Sequence, residues 1–188
     1  MIRPAKPEDA TQVVPLLLQA MGELAYKLTH SQNEAAVNRI FEDLFQLPGN
    51  QYSYANTLVF EEAGKVLGSV TAYDGGKLPE LRKTFLTFLN QTHTDDNNLN
   101  TETQRGEFYL DSISVNPDTQ GKGIGKLLVK AGIAWGQQLG HQNIGLLVEQ
   151  HNGRALKLYQ HLGFTIQNEK EFMGGKYQHM VFGVKADH

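Results

Sequence analysis

The sequence predicts one α/β (α+β) domain over residues 1–188, and three observations carry that reading. Apolar residues recur at helical spacing in some windows and at strand spacing in others, and the two kinds of segment follow one another along the chain. A β-prone run at 110–115 passes through Asn116-Pro117 into Gly121, Gly123 and Gly125, after which an amphipathic segment begins. With 188 residues, 40% of them hydrophobic and 20% charged, the chain can bury a single sizeable core, so no second domain is needed.

The elements follow in order. A short strand at Ile2-Arg3 leads to Pro7, Glu8 and Asp9, residues suited to a first helical turn. Ala10, Val13, Val14, Leu17, Leu18, Met21, Ala25 and Leu28 then keep helical spacing, which predicts one long helix kinked at Pro15. A second helix starts near Asn33, buries Val37, Ile40, Phe41 and Leu44, and ends before Pro48-Gly49. Residues 57–60 and 66–73 form a hairpin around Ala63-Gly64-Lys65, and 107–115 is the next strand. The connection 74–106 is long for adjacent strands. It predicts a helix with Leu81, Phe85, Phe88 and Leu89 on one face, docked on the domain or on a second copy of the chain in a homodimer. The Asn-, Asp- and Thr-rich tract 92–104 after it is predicted to be mobile. A helix then runs from the glycines to about Leu139, followed by a strand at 144–148, a helix begun by Asn152, and two strands at 164–171 and 177–184.

Composition narrows the function. The formal charge of −3, with no Lys/Arg block, provides no footprint for nucleic acid. The absence of cysteine excludes disulfides, thiolate metal sites and a cysteine nucleophile, and suits a cytoplasmic setting. Met1 to Lys6 lacks an apolar signal core, and no apolar run approaches the ~18 residues of a membrane span, so a soluble, unprocessed protein is expected. The histidines show no metal-ligand spacing, and no cofactor metal is expected. His151 is read as a solvent-facing loop residue.

The informative segment is the glycine loop. A helix N-terminus presents amides without intrahelical partners, and alternate glycines remove the Cβ atoms that would hold a diphosphate away from them. Lys122 and Lys126 add positive charge at the positive end of the helix dipole. The nucleotide phosphate loop requires different spacing and Ser or Thr after the lysine, where this chain has Leu127. The dinucleotide fingerprint Gly-x-Gly-x-x-Gly is not matched either.

Gln120, Gly123 and Gly125 resemble the Gln/Arg-x-x-Gly-x-Gly/Ala signature of the GCN5-related N-acetyltransferase (GNAT) superfamily. Asn152, Ala155, Tyr159, Gly163 and Phe164 resemble that family's next signature, Asn-x-x-Ala-x-x-x-Tyr-x-x-x-Gly-Phe, with every position filled. The resemblance implies a mixed, mostly antiparallel sheet of six or seven strands with a splayed central parallel pair and helices on both faces. It implies acetyl-CoA as cosubstrate, without a metal, and transfer of the acetyl group to a primary amine by direct attack on the thioester. The connection 74–106 departs from the family, in which this link is short. A non-catalytic acyl-CoA sensor module is the alternative.

The resemblance also implies roles. Gln120, Gly121, Lys122, Gly123, Ile124, Gly125 and Lys126 would hold the diphosphate, and the backbone of Ile113, Ser114 and Val115 would pair with the pantetheine arm. Asn152 would cap its helix and bond the same arm, and Tyr159 would protonate the departing thiolate. Two carboxylates on one strand face, Glu107 and Asp111, are both candidates for the general base. Glu23, Glu34, Tyr73 and Tyr177 are candidates for the acceptor cleft, and the surplus of acidic residues favours a cationic small-molecule or peptide amine.

Overall fold

A computed structural model describes residues 1–90 and 102–184, in which seven strands form one sheet and pack with six α-helices in an α+β fold. The strands are β1 (Ile2–Pro4), β2 (Thr57–Glu62), β3 (Lys65–Asp74), β4 (Glu107–Val115), β5 (Asn143–Glu149), β6 (Thr165–Phe172) and β7 (Gly175–Gly183). The helices are α1 (Ala10–Met21), α2 (Glu23–Thr29), α3 (Glu34–Gln46), α4 (Leu78–Phe88), α5 (Ile124–Gln138) and α6 (Gly153–His161). The sheet has the order β1-β2-β3-β4-β5-β7-β6, in which β4 and β5 run parallel and every other neighbouring pair is antiparallel. This is the mixed, mostly antiparallel sheet with a central parallel pair that the resemblance implied.

Period-two alternation divides the core in two. Val59 and Val66 face a cluster formed with α1, α3 and α4, which includes Val13, Leu17, Phe41 and Phe85. Val70, Ala72, Phe108, Leu110, Ile144 and Leu146 face the other side, where Leu128, Val129 and Ile133 of α5 cover them. Helices therefore lie on both faces of the sheet.

Two expectations about helices need correction. The first long helix is broken at Gly22, not at Pro15, which lies inside the continuous α1. Gly22 takes φ 55° and ψ −132°, a conformation open to glycine but not to a helix interior, and the chain restarts there as α2. The helix of the long connection is α4, but its buried face is Leu78, Arg82, Phe85 and Leu86, with Leu81 half-buried and Phe88 36% exposed. Phe85 packs edge-on against Tyr52 at 5.3 Å and lies 6.4 Å from Phe41, so α4 docks on its own domain. The face is displaced because Arg82 turns inward to the Glu102 carboxylate, 2.8 Å away.

That ion pair also bears on the tract expected to be mobile. Residues 92–101 of it lie outside the described residues. Glu102 and Thr103 are buried, with Glu102 held by Arg82 and the Thr103 hydroxyl donating to the Gly75 carbonyl at 2.7 Å. A polar composition predicted solvation there, but paired polar groups can be buried.

Candidate active site

The site begins where the parallel pair ends. β4 and β5 pair from Glu107↔Asn143 to Leu110↔Leu146, yet β4 continues to Val115 and β5 to Glu149. The register between β3 and β4 shifts at the same point: Thr71 opposes Ser112 and Ala72 opposes Leu110, which leaves Asp111 as the extra residue of a bulge. A bulge bends its strand and raises its twist, so β4 turns away from β5. Beyond Leu110 the β4 edge facing β5 has no strand partner among the described residues, and it offers its amides and carbonyls to an extended ligand. Ile113, Ser114 and Val115 lie on this edge. The side chains of Ile113 and Val115 pack into the core on the α5 side, and Gln19 of α1 donates to the Ser114 hydroxyl at 2.9 Å and to the Val115 carbonyl at 3.0 Å.

The glycine loop follows directly. Gly121 and Gly123 take φ 82° and 83°, left-handed conformations that exclude most side chains, and Gly123 is the N-cap of α5. The first intrahelical bond runs from the Leu127 N–H to the Gly123 carbonyl at 3.1 Å, so the amides of Ile124, Gly125 and Lys126 precede it. Ile124 anchors the turn with a buried side chain, while Lys122 and Lys126 are exposed. The Gln120 side chain donates through Nε2 to the Val115 carbonyl at 3.4 Å and ties the loop to the end of β4. Gly125 has an ordinary φ, and a Cβ there would meet only Val115 Cγ2, at 3.7 Å. Packing does not require glycine at 125, whereas a ligand approaching the amides would.

Between the separated strands lies a cavity of about 630 Å³. Asp111 and Ser112 of β4, Val148 and Glu149 of β5, Tyr159 of α6 and Asn152 at the N-cap of that helix contribute to its wall. Asn152 caps α6 by accepting the Ala155 N–H at 3.1 Å. The Tyr159 ring stands edge-on to Phe164 with centroids 5.9 Å apart, and burial pushes its hydroxyl up to about 12, so it holds its proton at neutral pH. Burial also raises the Asp111 carboxyl, to about 6, against the opposing pull of the Tyr73 hydroxyl, which donates to Oδ2 at 2.9 Å, and of the Arg82 charge.

The two carboxylates read together from the sequence are separated by their partners. Asp111 faces the cavity, whereas Glu107 does not line it. Glu107 is 5% exposed, and its side chain lies across Gly145, where a Cβ would collide with it. The carboxylate meets His179 Nε2 at 2.8 and 3.1 Å, and the Nδ1 of that ring faces Asn168 Oδ1 at 2.8 Å. Of the acceptor-cleft candidates, Glu23 and Tyr177 line the cavity. Tyr73 is buried behind Asp111, and Glu34, exposed in the first turn of α3, lies outside it. His151 is exposed and 3.1 Å from the Glu149 carboxylate.

Among the wall residues that the sequence reading missed are Glu102 and Tyr109. Strand alternation from Asp111 pointed to Tyr109. Nothing local pointed to Glu102, whose position depends on Arg82, 20 residues away.

Comparison with known proteins agrees with this geometry. The model of the acetyltransferase (GNAT) family matches residues 21–164. A mycothiol acetyltransferase of Propionibacterium freudenreichii subsp. shermanii is 42% identical over 62 residues, covering 33% of this chain and 19% of that protein. The chain thus spans about a fifth of the length of the curated relatives it matches. A solved structure of an acetyltransferase superposes over 98% of this chain and 100% of its own, with a TM-score of 0.82 and 28% identity. An N-acetyltransferase structure from Staphylococcus aureus Mu50 superposes over 96% and 99% of the two chains, with a TM-score of 0.82 and 24% identity. No helix among the described residues is long and apolar enough to cross a membrane.

Proposed function

Since the chain belongs to the acetyltransferase (GNAT) family, we propose that it transfers an acetyl group from acetyl-CoA to a primary amine, with Asp111 and Tyr159 handling the protons. The observation that carries this reading is the coincidence of three features. The β4 edge opens at Asp111, a glycine-lined helix N-terminus lies at the far end of that edge, and a protonated tyrosine faces the same cavity.

The chain's groups then divide the work. The amides around Gly123 and Gly125, with Lys122 and Lys126 nearby, bind the diphosphate of acetyl-CoA, and Gln120 holds that loop against β4. The free edge at Ile113, Ser114 and Val115 and the side chain of Asn152 bind the pantetheine arm. Amides of the same edge stabilise the oxyanion formed as the amine nitrogen attacks the acetyl carbonyl carbon. Above about pH 6 Asp111 is a carboxylate and takes a proton from the acceptor ammonium, which frees the nitrogen lone pair for the attack. As the carbon–sulfur bond breaks, the Tyr159 hydroxyl delivers a proton to the thiolate and the second proton of the nitrogen restores the phenol, so amine and acetyl-CoA leave as amide and free thiol. A cytoplasmic setting suits the cysteine-free chain.

The test is thiol release from acetyl-CoA with a panel of small and peptide amines, alongside calorimetry with coenzyme A. Coenzyme A binding with turnover of at least one amine is expected. Binding without turnover of any amine identifies a sensor module instead.

A further inference from the structure

We propose that the acceptor carries a second cationic group besides the amine that is acetylated, and that Glu102 and Tyr109 hold it. This rests on the transferase reading and names the substrate class for it.

The cavity wall is chemically one-sided. Among the described residues, Glu23, Glu102, Asp111 and Glu149 contribute carboxyl groups to it, against the single ammonium of Lys27, which donates to the Met173 carbonyl at 3.1 Å. Arg82 approaches from behind and engages Glu102 Oε1, and the Lys170 ammonium donates to the Glu102 carbonyl at 3.4 Å, so two cations stand near the buried carboxyls of Glu102 and Asp111. Buried charges are stable when paired, and four carboxyl groups of the wall stand against the cations of Lys27, Arg82 and Lys170. Burial and the Asp111 charge hold the Glu102 carboxyl up to about 8 against the pull of Arg82 and Lys170, so near neutral pH it holds a proton that a bound cation can replace.

A separate observation points to a ligand at the same place. Tyr109 is 3% exposed and lines the cavity, yet its hydroxyl has no hydrogen-bond partner among the described residues. Burial, then Glu102 and Asp111, keeps this phenol well above its ordinary range, so it stays neutral with lone pairs to offer. The buried side-chain atoms left without a partner among the described residues are Gln51 Oε1 and Gln178 Oε1, so the Tyr109 oxygen opens on the cavity, where a ligand can reach it. An ammonium bonded to the Tyr109 oxygen and the Glu102 carboxylate would satisfy the hydroxyl and take the place of the Glu102 proton, and the Tyr177 ring of the same wall suits a cation, as Phe172 does for Arg82 at 6.0 Å. Asp111 remains for the reacting amine.

The experiment compares diaminobutane with aminobutanol, which differ by one ammonium in place of a hydroxyl. Wild-type kcat/KM should favour the diamine by about tenfold or more, through KM, the size expected for one charge-assisted contact. Glu102→Gln should bring the ratio close to one, and Tyr109→Phe, which also serves if the first variant does not fold, should lower it several-fold. Calorimetry of both compounds on the full chain saturated with coenzyme A should give the same order of affinity. Equal kcat/KM or equal affinity in the wild type, or an unchanged ratio in a folded variant, overturns the proposal. Tight diamine binding with no transfer to any amine leaves this recognition standing and overturns the transferase reading.

Discussion

Replacing Gly125 by alanine should move stability and cofactor affinity in opposite directions. Gly125 is the second residue of α5, has an ordinary helical φ, and would place its new methyl against Val115 Cγ2 alone, at 3.7 Å, an ordinary contact. The free protein therefore gains the helical advantage of alanine over glycine, up to about 1 kcal/mol, which for a chain of this length is about 1–4 °C in Tm. The same methyl stands where a diphosphate must approach the helix amides. Losing one charge-assisted hydrogen bond, about 1.5–3 kcal/mol, weakens acetyl-CoA about 10- to 150-fold. At a ligand concentration of about 100 times the wild-type Kd, the wild type is stabilised by about 2.7 kcal/mol. A variant binding about 100-fold less tightly then gains only about 0.4 kcal/mol. Thermal melts with and without coenzyme A, backed by calorimetry, read both effects. A folded Gly125→Ala protein with a Kd within about twofold of wild type would refute the diphosphate reading of this loop. Gly123 is a poorer probe, because at φ 83° even alanine costs about 1–2 kcal/mol and destabilises the free protein.

Three further outcomes are expected. Tyr159→Phe should bind acetyl-CoA nearly as wild type but lower kcat about 10²- to 10⁴-fold, measured by thiol release; turnover within about twofold would return Tyr159 to a packing role. Asp111 is raised to about 6, so kcat/KM should climb with pH through that region. Asp111→Asn should abolish this limb, and Tyr73→Phe, which removes a bond favouring the carboxylate, should shift it to higher pH. An acid whose folded pKa is raised stabilises the fold below its unfolded pKa and loses that contribution as pH rises through the folded value, so Asp111→Asn should raise Tm at pH 8 and change it little at pH 4. Phe85→Ala should cost about 3–5 kcal/mol in denaturant melts, whereas Phe88→Ala at the 36% exposed position should stay within about 0.5 kcal/mol.

Several features of this protein were legible in the sequence alone because they depend on near neighbours. The strands and most helices follow from apolar period, the Asn152 cap from its own side chain, and the loop from glycines whose left-handed φ at 121 and 123 few other residues tolerate. Both family signatures are runs of this local kind. Tertiary structure decided the rest, through partners distant in the chain. Period two placed Glu107 and Asp111 on one face equally, and only His179, 72 residues from Glu107 and brought alongside by β7, occupies one carboxylate while the other is left to the cavity. Helical period placed Leu81 and Phe88 on the buried face of α4, but pairing of Arg82 with Glu102 rotated that face toward Leu78 and Leu86. The same pairing drew a residue from a polar tract into the cavity wall. Burying a charge is costly until its counter-charge arrives, and which counter-charge arrives is a property of the folded chain, not of any segment within it.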